Sequence, residues 1–125
     1  MHIPVNAIRI AQRHLRDGGF DPGPLDGQLG PQTEAALGLA LAARRGELAL
    51  AHAEAILGGS RRRKVTAYVQ LLARDAGIES GPVDGFWGPQ TDFAFGELEH
   101  LEQFGELPHP WRDFPGPAAN PNGWP

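Results

Sequence analysis

The sequence predicts an all-α protein. It reads as a small bundle of about five helices, built on an internal duplication of a helix–loop–helix unit, with a proline-rich irregular C-terminal tail. Three observations support this. Residues 12–38 align on residues 70–96 without a gap, and 14 of the 27 pairs are identical. Apolar residues in each unit recur at helical spacing. Nothing alternates with period two over a strand's length, and the β-branched residues are few and scattered.

The elements follow in chain order. Ile8, Ala11 and Leu15 mark the face of a first helix, and Gly18-Gly19 stops it. A loop rich in Gly, Pro and Asp comes next, "GPLDGQLGPQT", in which no regular element persists. A second helix opens at Pro31, because proline at the first helical position loses no hydrogen bond and presets φ. That helix reads through "TEAALGLALAARR", meets Gly46, and resumes as "ELALAHAEAIL" up to Gly58-Gly59. Ser60 is placed to cap the next helix, whose face is Val65, Tyr68, Val69, Leu72 and Ala76, with Gly77 as its end. The loop formula then returns as "GPVDGFWGPQT", and Pro89 opens a last helix that stops at Gly105. The organisation is thus a helical domain over 4–107, in units 4–59 and 60–107, then a tail over 108–125. The tail carries Trp111, Phe114 and Trp124 among its prolines. They serve either to strap it onto the helices or as part of a linker to a further domain.

Composition narrows the function. Fifteen acidic against eleven basic residues leave a net charge of −4, and from Val65 onward nine acidic residues face two basic ones. Such a chain is a poor binder of nucleic acid, which demands several neutralised phosphates. There is no cysteine, so disulfides, thiolate metal sites and a cysteine nucleophile are excluded. No apolar run approaches the ~20 residues of a membrane span. Arg9 and Arg13 interrupt the apolar pattern of the N-terminus, so no secretory signal is read there. No His-Glu-x-x-His or Gly-x-Ser-x-Gly occurs, and the carboxylates fall on helix faces rather than as a pair flanking a cleft. No catalytic residue, metal or cofactor is therefore expected.

The duplicated pattern resembles a known family. Ile8-x-x-Ala11-Gln12-x-x-Leu15-x-x-x-Gly19, followed by Asp26-Gly27-x-Leu29-Gly30-x-x-Thr33-x-x-Ala36, is similar to the peptidoglycan-binding domain found beside bacterial and phage cell-wall hydrolases. Val69-Gln70, Gly77, Asp84-Gly85-Phe86-Trp87-Gly88, Thr91 and Ala94 repeat the resemblance. Leu29 stands where the family has an aromatic, and residues 38–60 form a longer, alanine-rich stretch than the family uses. The resemblance implies a non-catalytic module that binds peptidoglycan, through glycan strands or stem peptides. It also implies a covalently linked hydrolase domain, as in an endolysin: made in the cytoplasm, acting at the wall or in the periplasm, without membrane insertion. The alternative is a helical protein–protein interaction module that keeps the fold without wall binding.

The candidate ligand-binding residues are Asp26, Gly27, Gln28, Thr33, Asp84, Gly85, Phe86, Thr91 and Arg74. Each has a plainer reading. Asp26 and Asp84 would organise their loops by accepting backbone N–H bonds two or three residues on. Gly27, Gly30, Gly85 and Gly88 would supply positive φ or close packing. Thr33 and Thr91 would bond back within the first helical turn. Leu29 and Trp87, with Gly30, Gly88, Pro31 and Pro89, read as structural, the two large residues buried between loop and helices. Phe86 pairs with Gln28 in the alignment, so its position is expected to be exposed. It would stack on a sugar face or pack on the tail. His14 aligns with Leu72 and reads as a half-buried packing residue. Arg16-Asp17 and Arg74-Asp75 are solvated helix ends or contacts to stem-peptide carboxylates. The basic run at 61–64 reads as solvent-facing, with a contact to anionic wall polymer as the alternative.

Overall fold

The computed structural model of the chain describes residues 2–107; the expectations for Trp111, Phe114 and Trp124 lie outside the described residues. Within that range the protein is all-α. The helices are α1 (Val5–Asp17), α2 (Pro31–Ala43), α3 (Ala53–Leu57), α4 (Arg61–Asp75) and α5 (Pro89–Phe104). No helix among the described residues is long and apolar enough to cross a membrane.

The helix ends show why these residues form these elements. Pro31 and Pro89 each occupy the first turn, with Glu34 and Asp92 placed near the positive end of the helix dipole. The Ser60 hydroxyl caps α4 by accepting the Arg63 N–H at 3.1 Å. Helices α1 and α4 end in the same way, 58 residues apart. After α1, Gly19 N–H bonds to Arg16 O and Phe20 N–H to Leu15 O. After α4, Gly77 N–H bonds to Arg74 O and Ile78 N–H to Ala73 O. Both are Schellman closures, which satisfy carbonyls that the helix leaves unpaired.

One hydrophobic core runs through both units. Helix α4 is its axis: residues 65–73 are buried without interruption, and α4 packs on each of the other four helices. A helix covered on all sides loses the polar face of a surface helix. The alanine-rich face of α2, with Ala36, Leu37, Ala40 and Leu41 buried, lets that helix approach α4 closely. The remaining ends are tied by charge: Arg44, at the end of α2, bonds Glu47 and Asp75.

The stretch after Gly46 differs from the sequence expectation. It does not resume as one helix. Two single 3₁₀ turns (Arg45–Glu47 and Leu50–His52) lead into the short α3. Leu48 and Ala49 take extended conformations, Leu48 is buried, and Ala49 N–H donates to Val83 O in the second loop. A non-local hydrogen bond and one buried leucine outweigh the helix propensity of the alanines. Leu50 is left 96% exposed as a consequence.

Candidate functional site

Each Asp-Gly loop is held from below by a buried glutamine. Gln12 Oε1 accepts the Gly27 N–H at 2.9 Å, and its Nε2 lies 3.0 Å from Gln28 O, 3.1 Å from Thr33 Oγ1 and 3.3 Å from Asp26 Oδ1. Gln70 does the same: Gly85 N–H at 3.0 Å, Phe86 O at 3.2 Å, Thr91 Oγ1 at 3.0 Å and Asp84 Oδ1 at 3.1 Å. The two side chains are 0% and 2% exposed. One amide thus accepts a loop N–H and shares its two N–H donors among a loop carbonyl, the aspartate and the first-turn threonine of the next helix. Sequence reasoning assigned these glutamines no role, although their identity at both positions was the available signal.

The aspartates do what loop aspartates do. Asp26 Oδ1 accepts the Gln28 N–H at 2.9 Å, and Asp84 Oδ1 accepts the Phe86 N–H at 2.9 Å. The Gln28 N–H and then the Gln12 amide hold the Asp26 carboxyl below its usual value of 3.8. A carboxyl so held takes up a proton more readily in the unfolded chain. Its contribution is therefore complete above about pH 4 and is lost as pH falls through the lowered value. Thermal unfolding followed from pH 6 down to about pH 2.5 should show Asp26→Asn losing less stability on acidification than the parent chain. Equal losses would mean that the carboxylate charge is not part of the loop's hold.

Several expected roles are corrected. Thr33 and Thr91 are buried and do not bond back within their helices; their hydroxyls donate outward, to Pro22 O at 2.8 Å and Phe86 O at 3.3 Å. Because those hydroxyls also receive the glutamine amides, both threonines are committed internally. Gly30 and Gly88 have extended backbones with φ of −91° and −115°, and an added Cβ would meet nothing within 4 Å. Gly27 and Gly85 do take the expected positive φ, and so do the aligned pairs Gly19 with Gly77 and Gly23 with Gly81. Leu29 and Trp87 are half-buried against the core rather than enclosed. Trp87 packs against Phe95, with ring centres 5.7 Å apart, and its indole N–H donates to Asp92. His14 is half-buried as expected, but against the Glu102 carboxylate; burial, then the Arg13 charge, lowers its pKa below 6.5.

The basic run at 61–64 is not simply solvent-facing. Arg61 bonds Glu34 and Leu29 O, and Lys64 also reaches Glu34. Arg63 donates through Nε and Nη2 to Asp84 O at 3.2 and 3.0 Å. The first turn of α4 therefore gathers both Asp-Gly loops to one end of the bundle. Arg74 is not among them. It lies eleven residues further along α4, about 16 Å away at 1.5 Å per residue, and bonds Glu47 O.

At the gathered end the two loops diverge in surface chemistry. Gln28 is exposed, and Pro31 and Pro89 are exposed beside their loops. Phe86, the counterpart of Gln28, is 54% exposed. The Arg63 guanidinium sits 4.1 Å from the centre of the Phe86 ring, and His52 meets that ring edge-on at 5.6 Å. His52 Nδ1 lies 3.0 Å from Arg63 Nη2, within hydrogen-bond distance of that guanidinium. Phe86 and Trp87 border a cleft of about 320 Å³ together with Ser60, Arg62, Arg63 and Thr66. The first loop borders a smaller cleft of about 190 Å³ among prolines, Asp26 and Gln28. A larger cleft of about 420 Å³ lies between α1 and α5, but Asp92 and Glu99 line it and its aromatic residue, Phe95, is buried.

No family model, curated protein or solved structure matches the chain. Among the described residues, no group of three or more His, Asp or Glu side chains could hold a metal ion.

Proposed function

We propose that the protein is a non-catalytic module that binds bacterial cell-wall peptidoglycan and directs a linked hydrolase domain to the wall. The observation that carries this reading is Phe86. The two Asp-Gly loops share one set of internal hydrogen bonds, yet only the second places a large aromatic in the open, over a cleft with a second aromatic beside it. An exposed ring next to hydrogen-bonding groups suits the apolar face of a pyranose, and the motif's resemblance to wall-binding modules points the same way. Gln28, Asp26 and Gly27 would contribute at most a secondary contact, and Asp84 and Gly85 act by shaping the loop. Weak contact at one cleft gains effect through linkage, because a tethered hydrolase is concentrated on its polymer.

Sedimentation with insoluble purified peptidoglycan tests this. The intact chain should co-sediment, and Phe86→Ala should reduce the bound fraction about tenfold while leaving the melting temperature within a few degrees. No sedimentation with wall material of any chemotype would overturn the reading.

The interaction-module alternative has its own observation. Phe93 and Phe104 on α5 are 70% and 60% exposed. If that surface is the functional one, Phe93→Ala rather than Phe86→Ala will abolish partner binding, and wall binding will be absent.

A further inference from the structure

We infer that α5 is a self-association surface, along which two copies of the chain pair antiparallel. Phe93 of one copy rests on the partner's Phe104, and Glu97 faces the partner's His100. This does not depend on the wall-binding reading.

Phe93, Glu97, His100 and Phe104 follow one another at steps of four, three and four residues. That spacing sets them on one stripe of α5, about 16 Å long at 1.5 Å per residue. It is also the spacing of a helix–helix seam. Phe93 is 70% exposed and Phe104 60%, with the half-buried Glu97 and His100 between them. Among the described residues the other exposed large hydrophobics, Val5, Leu39, Leu50 and Phe86, stand one to a helix, turn or loop. A single exposed apolar residue is ordinary, but two on one stripe leave an apolar face to be covered. Phe93 aligns with Ala35 of the first unit, so the bundle itself has no need of a ring there.

The charges of α5 favour a second copy over an unrelated partner. The helix carries Asp92, Glu97, Glu99 and Glu102, and no Lys or Arg. Three of these acids are turned to their own bundle. Asp92 accepts the Trp87 indole N–H, Glu99 accepts the Asn6 amide, and Glu102 meets Arg13 and His14. Glu97 is the acid of the stripe, and His100 is the helix's one basic side chain. The His100 ring lies 4.5 Å from that of Phe104, and its Nδ1 donates to Glu106 O at 2.9 Å, so Nε2 is the nitrogen that meets the partner's Glu97.

A twofold interface makes every contact reciprocal. An antiparallel pair centred between Leu98 and Glu99 exchanges position 93 with 104 and position 97 with 100. Each ring then meets a ring, and each acid meets an imidazole. A parallel pair would instead set like charges against each other. Gln90, Gly96 and Gln103 flank the stripe, exposed and uncharged, and open space around Gly96 lets the two backbones approach. Four partly exposed phenylalanines would bury roughly 400–600 Å². With the flanking residues the area still falls at the low end of specific interfaces, so the dimer should be weak, with a Kd of about 100 µM.

Sedimentation equilibrium of the full chain from about 10 µM to about 1 mM tests this. The mass should rise from one chain to two across that range. Phe93→Ala and Phe104→Ala, both at exposed positions, should each weaken the dimer at least tenfold while unfolding in one transition like the parent chain. His100→Glu should also weaken it about tenfold, and adding Glu97→Lys should restore it, because the exchanged pair is again complementary. A monomer at 1 mM would overturn the inference and leave the stripe to residues 108–125 or to another protein. A dimer that survives both phenylalanine substitutions would overturn it too, since a different face would be joined. A dimer weakened by Phe93→Ala but not restored by the charge exchange would overturn the antiparallel register and with it the inference. None of these results bears on peptidoglycan sedimentation, which tests the wall reading separately.

Discussion

Gln70→Leu is expected to destabilise the protein by about 3 kcal/mol and to lower its melting temperature by roughly 12–20 °C. Leucine matches glutamine in size, so little volume changes. What is lost is the acceptor for the buried Gly85 N–H and the donor shared by Phe86 O, Thr91 Oγ1 and Asp84 Oδ1. A buried donor without a partner keeps its full desolvation cost, which exceeds the net gain of an ordinary hydrogen bond. Gln12→Leu should behave alike, because Gln12 makes the same set of bonds in the first loop. Both substitutions should shift one cooperative transition, since α4 belongs to the core of both units. Gln70→Glu provides a further check. It keeps the acceptor for Gly85 but sets a carboxylate where the amide now lies 3.1 Å from Asp84, so its penalty at pH 7 should shrink on acidification toward pH 4. Exposed Gln103→Ala should stay within about 0.5 kcal/mol. Unfolding followed by far-ultraviolet circular dichroism measures all four. A change below about 1 kcal/mol for Gln70→Leu would show that the loops do not depend on their glutamines.

The contrast between Gln70 and the helices around it shows which parts of this fold are legible in the sequence. Helix starts at Pro31, Pro89 and Ser60, and the closures at Gly19 and Gly77, are local events. Their cause lies within five residues of their effect, so spacing reveals them. The loop aspartates are legible for the same reason, since Asp26 and Asp84 act on the N–H two residues on. The glutamines act on groups 14 to 21 residues away, and a buried glutamine within a helix pattern looks like any other polar residue. Residues 47–53 depart from their local helical pattern for a related reason. Their alanines favour helix, but Ala49 pairs with Val83, 34 positions on, and no local pattern announces that bond. The arginines at 61–64 are the functional counterpart. A basic run reads as solvated until the fold brings Leu29 O, Glu34 and Asp84 O against it. Arg74 shows the converse: a repeated Arg-Asp pair attracts attention, yet it sits at the far end of α4 from the loops.

The cleft's dependence on that first turn leads to the second large effect, which concerns two glycines three residues apart. Gly85→Ser is expected to cost about 2–3 kcal/mol, whereas Gly88→Ser should be neutral or slightly stabilising. Gly85 has φ of +79°, where a side chain is strained, and an added Cβ would lie 2.6 Å from Arg63 Cγ and 3.1 Å from Arg63 O. The flexible Arg63 side chain can yield, but only by leaving the Phe86 face and the Asp84 carbonyl. Gly88 has an extended backbone and open space around it, and it is the N-cap of α5, where a serine hydroxyl can accept an orphan N–H of the first turn. The two substitutions therefore separate architecture from permissiveness inside one motif. They also separate folding from binding. Gly85→Ser should lose wall binding beyond what its stability loss explains, because Arg63 no longer forms the platform. Gly88→Ser should bind like the parent chain. If Gly85→Ser binds normally at a temperature where it is folded, Arg63 does not need to rest on Phe86 for recognition, and the aromatic alone carries the contact. Measuring both variants by thermal unfolding and by peptidoglycan sedimentation at 15 °C decides between a recognition surface made of one ring and one made of a ring with its guanidinium cover.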